Sequence, residues 1–570
     1  MKPVRLPAAA TRALPRWLLL LLCALYILPG LIARDPWKTV DATSFGIMWT
    51  MADGGLADWL APNVAGMPSA DKGPLAYWIG ALLIRLLGPL LGDVLATRVA
   101  ALGFFVLSAA SVWYATYLLG RRPEAQPLRL AFGGQPTASD YGRTLADGAL
   151  LIYLGCLGLL AHSHSATADA LQVALVAFAL YAATRLFETG ALRNAALLGI
   201  VFGLLVLTRG WVVPLGLWLS VCILAAMRRV ELLRLLLAVT LPLALLTFVP
   251  WPLAIHLADA SSGSALAAWA AWNGNQIGLP STLSIIHLLK NGIWFAWPAW
   301  PFAGWALYAW RNDHAPHIAL PASFAATGLV LALLCPAPDE GTLLPLLPAL
   351  AILAAFGLPT MKRGAINAVD WFSVMTLTTC AALIWLGWIA LQTGWPTQLA
   401  RNAYKAAPGF RAEFYPVAFL VALLATASWF AVVHWRVARR PPVLWRAVVL
   451  SSGGVILCWL LLMTLWLPWV NYGKSYAGVA RRLAPLLPDA PHCVETNVPI
   501  AQRAAFSYFG GVTFARSARM HCAYLLWQDY RRGADPTTRL VHGGAEWELL
   551  WEGRRPSDRD ERYRLYRRLN

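Results

Sequence analysis

Apolar runs of about 20 residues recur almost end to end along this chain, each long enough to cross a bilayer as a helix. Residues 17–33, 94–119, 144–161, 168–187, 194–208, 211–227, 232–251, 291–310, 318–336, 342–359, 371–392, 414–435 and 447–470 make thirteen candidate spans. That pattern fixes the class as an all-α polytopic membrane protein. Composition agrees: 59% of the 570 residues are hydrophobic and 13% are charged, where a soluble chain carries roughly a quarter. The 29 Trp fit the aromatic belts of membrane–water interfaces.

The net charge of +18 could signal nucleic acid. Here the basic residues cluster in short loops between apolar runs. With the N-terminus inside, the inward loops carry Arg121/Arg122, Arg185/Arg193, Arg228/Arg229, Arg311, Lys362/Arg363 and Arg436/Arg439/Arg440. The positive-inside rule therefore holds at every turn, and the partners of this charge are membrane lipids rather than nucleic acid. The first run follows Lys2, Arg5, Arg12 and Arg16. Leu31 occupies the place where a cleavable leader needs a small residue, so an uncleaved first span is expected. Residues 75–91 are apolar too but contain Arg85 and Pro89. Counting them as a span would turn every later basic loop outward, so they read as a helix at the outer interface.

Three outward segments are long: 34–74, 252–290 and the polar tail 471–570. The expected domains are a membrane body, 1–470, carrying the first two as outer loops, and a small outer α/β domain, 471–570. The tail holds Cys493 and Cys522, which an oxidising periplasm would join in a disulfide; two free thiols are the alternative. Cys23, Cys156, Cys222, Cys335, Cys380 and Cys458 lie in or beside apolar runs and read as small hydrophobes.

Ionisable groups at a membrane surface are functional candidates. The outward turns collect Asp41, Asp71, Lys72, His162, His164, Asp169, Arg209, Asp339 and Glu340. Each has a plain structural reading as well. Asp41 and Asp169 could start helices, Lys72 could be a headgroup anchor, and Arg209 could cap a tight turn. The two His could pack at the interface, and Asp339 and Glu340 could be loop charges.

The arrangement resembles the polyprenyl-phosphate-sugar-dependent transferases of the GT-C class. It is similar in particular to the bacterial group that includes the lipid A aminoarabinose transferase, and more distantly to the protein O-mannosyltransferases. Four features carry the resemblance: Asp41 just after the first span; the run Asp71-Lys72-Gly73-Pro74-Leu75-Ala76-Tyr77-Trp78; Asp169 opening the fourth span; and "LLPLLPALAIL" at 343–353. The likeness covers residues 15–360 in order, and in the tail it is one of kind. Ala42 and Ser44 stand where that group has Glu and Arg, and Gly73 where it has Pro.

The resemblance implies a GT-C fold in a bacterial inner membrane, with its active site facing the periplasm. It implies a sugar donor on a polyprenyl (undecaprenyl) phosphate, and a lipopolysaccharide, other glycan or protein as acceptor. Asp41 would be the catalytic carboxylate of an inverting displacement. Lys72 and Arg209 would hold the donor phosphate, with Asp71, Asp169 and Glu340 in support or binding acceptor or metal. No cofactor is indicated, although two acids beside a His pair leave room for a divalent metal. The competing readings are a multi-spanning transporter or lipid-linked-sugar flippase, whose ionisable groups would sit near the bilayer midplane, and a non-catalytic assembly factor working through its tail.

Overall fold

A computed structural model describes residues 4–69, 72–128, 134–258, 263–439, 444–488, 493–515, 521–529, 539–558 and 560–569. Among them are eight helices long and apolar enough to cross a membrane. The helices that position the site are α1 (Arg16–Ile27), α2 (Val40–Asp53), α3 (Leu75–Leu91), α4 (Asp93–Arg121), α5 (Ala138–Gly155), α6 (Ala168–Thr189), α7 (Leu192–Thr208) and α8 (Val212–Arg228). Further along come α9 (Val230–Ala258), α10 (Gly263–Gly274), α11 (Pro316–Leu334), α12 (Glu340–Thr360), α13 (Arg363–Thr393), α14 (Pro416–Arg439) and α15 (Arg446–Leu465).

Eight of the thirteen expected spans are the eight long helices. The other five form shorter or more polar ones, for identifiable reasons. The first run stops at Ile27, because Pro29 disfavours helix before it and Gly30 takes a φ of +102°. The run at 291–310 is cut at Pro298, leaving Ala299–Ala309. In the other direction, α9 outlasts its expected end at 251, and the outer segment 252–290 is largely helical, with α10 and Thr282–His287 inside it.

Packing between the spans relies on small residues, since lipid supplies little hydrophobic drive for helices to associate. Gly199 and Gly203, one turn apart on α7, lie against α9; a Cβ on them would sit 2.5 Å from the Thr240 carbonyl oxygen and 2.5 Å from Thr247 Cβ. The Thr240 hydroxyl donates back to the Ala195 carbonyl at 2.9 Å. Helices α13, α14 and α15 form a satellite bundle with its own core of Trp388, Trp429, Leu457 and Leu461.

The outer domain is a five-stranded sheet beside helix α16 (Ile500–Gly510). Its strands are β1 (Val494–Thr496), β2 (Tyr524–Asp529), β3 (Arg539–His542), β4 (Ala545–Gly553) and β5 (Arg562–Arg568), in the order β1-β2-β5-β4-β3. Only β1–β2 is parallel. Cys493 and Cys522 are joined in a disulfide, Cα–Cα 5.2 Å. Helix α2 is clamped between this domain and the membrane body. On one side Gly46 meets Ala504 of α16 so closely that an added Cβ would lie 2.2 Å from the alanine's. On the other, Met48 fills the notch left by Gly80 of α3. Arg85, the charge that kept 75–91 out of the span count, donates to the Ala52 and Gly54 carbonyls at the C-terminal end of α2, where a cation is favoured.

Candidate active site

Asp41 lies in the first turn of α2 and is 8% exposed. Arg98, from the first turns of α4 and 2% exposed, grips it with a two-pronged fork at 2.7 and 2.8 Å. Arg34 adds a contact at 3.3 Å and the Trp37 backbone N–H another at 3.1 Å. One donor, an Arg98 nitrogen, reaches Oδ1, while the other Arg98 nitrogen, Arg34 and the Trp37 N–H converge on Oδ2. Arg34 also donates to the His164 carbonyl at 3.2 Å and the Ser165 hydroxyl at 2.9 Å, while its guanidinium rests 4.1 Å from the centre of the Trp37 ring. Asn471, just past the last span, fixes this loop by accepting from the Trp37 indole at 2.8 Å and donating to the Ala33 carbonyl at 2.8 Å.

The segment that Arg34 touches leads directly to a second cluster. Thr167 caps α6, accepting from the Ala170 N–H at 3.2 Å, so Asp169 is free of capping duty and sits buried in the first turn. Lys72 reaches one of its oxygens at 3.1 Å and Arg209 the other at 2.7 Å. The two cations meet there because the Gly73 N–H donates to the Thr208 carbonyl at 3.1 Å, laying the Lys72 loop against the end of α7. A proline at 73 would remove that N–H, and any Cβ would lie 2.0 Å from the Leu207 carbonyl oxygen. Arg209 then extends to Asp339 at 3.3 Å, and Asp339 also accepts from the Thr342 N–H at 2.9 Å. Gly341 passes so near the pair that a Cβ would lie 2.5 Å from Arg209 and 3.1 Å from Asp169.

The sequence-predicted residues divide accordingly. Lys72, Asp169 and Arg209 come together, joined by Asp339. Glu340 is mostly exposed and lies 3.8 Å from His162. Asp71 lies outside the described residues. Asp41 belongs to the neighbouring cluster, linked through the His164–Ser165 turn. Both imidazoles are engaged in packing: His162 Nδ1 bonds the Gly158 carbonyl at 2.9 Å, and the buried His164 bonds the Leu160 and Tyr26 carbonyls at 2.6 and 2.8 Å. Among the described residues no group of three His, Cys, Asp or Glu is placed to hold a metal ion. Sequence reading missed Arg34, Arg98 and Asn471. Arg98 had a signal, since it is an arginine inside a run otherwise fit to span.

Burial pushes the Asp41 carboxyl up, but Arg98 and then Arg34 outweigh it and hold the group below the ordinary carboxylate range. Its contribution to stability is therefore complete above the unfolded value of about 3.9 and is lost as pH falls through the lower folded value. Arg98→Met removes the stronger of the two charges that lower the group, so less of this stability should be lost on acidification. Unfolding temperature followed downward from about pH 6 to 2 should fall less steeply in the variant than in the wild type. Parallel curves would mean that Arg98 does not govern Asp41.

A cleft opens beside Arg209, with about 530 Å³ of empty space between α6, α8, α10, α11 and the start of α12. Gly210 forms its rim at a φ of +132°, and a Cβ there would collide with the Asn273 side chain of α10 at 1.8 Å. Below, the cleft shares Leu331 with a second groove between α8 and α11, lined by Gly216, Leu219, Ile223, Met227, Thr327 and Val330. That groove is apolar, and Ile223, Met227 and Val330 are exposed along it.

No protein-family profile and no curated protein sequence matches the chain. Its fold is nevertheless a known one: the helical body with a small outer sheet domain is the GT-C fold of membrane glycosyltransferases. The particular structures it resembles are of ArnT from Cupriavidus metallidurans. ArnT bound to undecaprenyl phosphate aligns at a TM-score of 0.66 and 17% identity, over 96% of this chain and 97% of that one. ArnT in the apo state aligns at 0.61 and 17%, over 87% and 84%.

Proposed function

We propose that the chain is an integral membrane glycosyltransferase that moves a sugar from a polyprenyl phosphate to an acceptor at the outer face of the membrane. One observation carries this reading. Two cations, Lys72 and Arg209, meet on Asp169, and Arg209 lines a cleft that shares Leu331 with an apolar groove along which Ile223, Met227 and Val330 are exposed. A lipid phosphate is the ligand whose anion and chain suit both halves. The groove follows α8 from Gly216 to Met227, roughly 17 Å at 1.5 Å per residue, about half the depth of a hydrocarbon core.

In the reaction, an acceptor hydroxyl attacks the anomeric carbon, the bond from that carbon to the phosphate oxygen breaks, and the lipid phosphate leaves. Lys72 and Arg209 neutralise the charge that grows on the departing phosphate. Asp41 takes or orients the hydroxyl proton once one of its present donors is released; Arg34, the longest contact, is the one that yields. Asp169 holds the two cations in place, and Glu340 lines the approach of the acceptor. A transporter is the poorer reading, because the ionisable cluster gathers at one end of the bundle instead of the midplane.

The test is binding of bare undecaprenyl phosphate to the purified full-length protein in nanodiscs. Saturable binding is expected, weakened about tenfold or more in Lys72→Ala, the loss of one charge-assisted contact. No binding, or equal binding by a folded Lys72→Ala, would refute the phosphate site.

A further inference from the structure

The cleft beside Arg209 has a lining of its own kind, and it bears on which sugar the donor carries. Gln172 lies one turn beyond Asp169 on α6 and is 2% exposed. It lines the cleft, and its amide makes no hydrogen bond to any described residue. Its two N–H donors and its carbonyl are unspent toward whatever fills the space. Across the cleft stand Trp272, half-buried on α10, and Gln276 just after that helix; their side chains make no hydrogen bonds to described residues either. One aromatic face and two uncommitted amides suit a sugar ring, whose C–H face packs on the indole while hydroxyls exchange hydrogen bonds with amides that both donate and accept.

The charges around the cleft restrict that sugar further. Among the described residues no carboxylate side chain lines it. Asp169 and Asp339 are both ion-paired to Arg209. An ammonium group on the sugar would face Arg209 with no unpaired carboxylate among the described lining residues. A carboxylate on the sugar would find Arg209 already shared between two aspartates and the donor's own phosphate.

We infer that this cleft is the donor-sugar pocket and that it selects an uncharged, hydroxyl-only sugar, with Gln172, Trp272 and Gln276 as its specificity-determining residues. The inference rests on the lipid-phosphate reading above and deepens it.

The experiment measures affinity of the full-length protein in nanodiscs for five probes. They are bare undecaprenyl phosphate, the same lipid phosphate bearing glucose or mannose, and the same bearing 4-amino-4-deoxyarabinose or glucuronic acid. At least one neutral-sugar donor should bind about tenfold more tightly than the bare lipid, and both charged-sugar donors no more tightly than it. Failure of the bare lipid to bind overturns the lipid-phosphate reading itself. A bare lipid that binds, with a charged-sugar donor equal to or better than the neutral ones, overturns only the sugar assignment. Gln172→Leu and Trp272→Ala should each abolish most of the neutral-sugar advantage while bare-lipid affinity, the check that the variant is folded, stays within about twofold. Gln172→Glu should raise affinity for the amino-sugar donor about tenfold by supplying the missing anion. Retention of the full advantage in folded Gln172→Leu, or no gain in Gln172→Glu, counts against the assignment.

Discussion

Asp41→Asn is expected to lower sugar transfer by about 10²–10⁴-fold, the range for a lost acid–base group, and to weaken the fold as well. The readout is the mass of the envelope lipid, glycan or protein that changes when the gene is deleted. Wild-type protein restores that mass, and the variant should not. The geometry explains why both effects come together. Asn keeps the shape of the side chain but turns an NH₂ toward one nitrogen of the Arg98 fork, whose two arms are 2.7 and 2.8 Å from the carboxylate. It also leaves Arg98 and Arg34, 2% and 4% exposed, without a counter-charge. Breaking a buried pair from one side costs about 3–5 kcal/mol. Arg34→Gln separates the two roles. It removes the 3.3 Å contact to Asp41, with Arg34's bonds to His164 and Ser165, but leaves the Arg98 fork and no uncompensated buried arginine at 34, so its stability should lie above that of Asp41→Asn. Full transfer by a folded Asp41→Asn would remove Asp41 from the mechanism.

The membrane body was legible from the chain because its signal is strong: long apolar runs recur along the sequence. The positions of Asp41, Lys72, Asp169 and Arg209 at one end of the bundle followed from the same count. Their partners did not. Which cation meets which acid depends on the Gly73–Thr208 hydrogen bond and on the close passage of Gly341, contacts between segments over 100 residues apart. A periodicity argument has no access to such contacts. Helix length was misjudged where a Pro or Gly breaks an apolar run, as at Pro29-Gly30 and Pro298, because hydropathy windows average across breakers. The segment 252–290, rich in Ala, Ser, Gly, Asn and Trp, read only as a long outward stretch. It folds as helices, since Trp251, Trp269 and Trp211 supply a local core. Arg98 was passed over because one charge barely lowers the mean of a long apolar run, although its cost in that setting is what marks it as functional.

Asp169→Asn should produce the second large effect, and its sign with ligand is the informative part. The wild-type carboxylate is the counter-charge of both Lys72 and Arg209, whose side chains are 11% and 10% exposed. Neutralising it leaves two near-buried cations sharing one small space, and the free protein should lose about 3–5 kcal/mol. Arg209 keeps Asp339 at 3.3 Å, but Lys72 keeps no other ion pair among the described residues. A lipid phosphate entering the site would replace the missing anion. Undecaprenyl phosphate should therefore raise the unfolding temperature of Asp169→Asn by more than it raises that of the wild type, because a ligand that binds only the folded state stabilises it in proportion to its affinity. A structural salt bridge with no part in binding predicts the opposite: equal shifts, displaced downward by the same amount. Equal shifts would leave Lys72 and Arg209 as fold-holding cations and would move the phosphate elsewhere. A larger shift in the variant would show that carboxylate and phosphate compete for the same two cations, which is what a site that must release its lipid phosphate after each turnover requires.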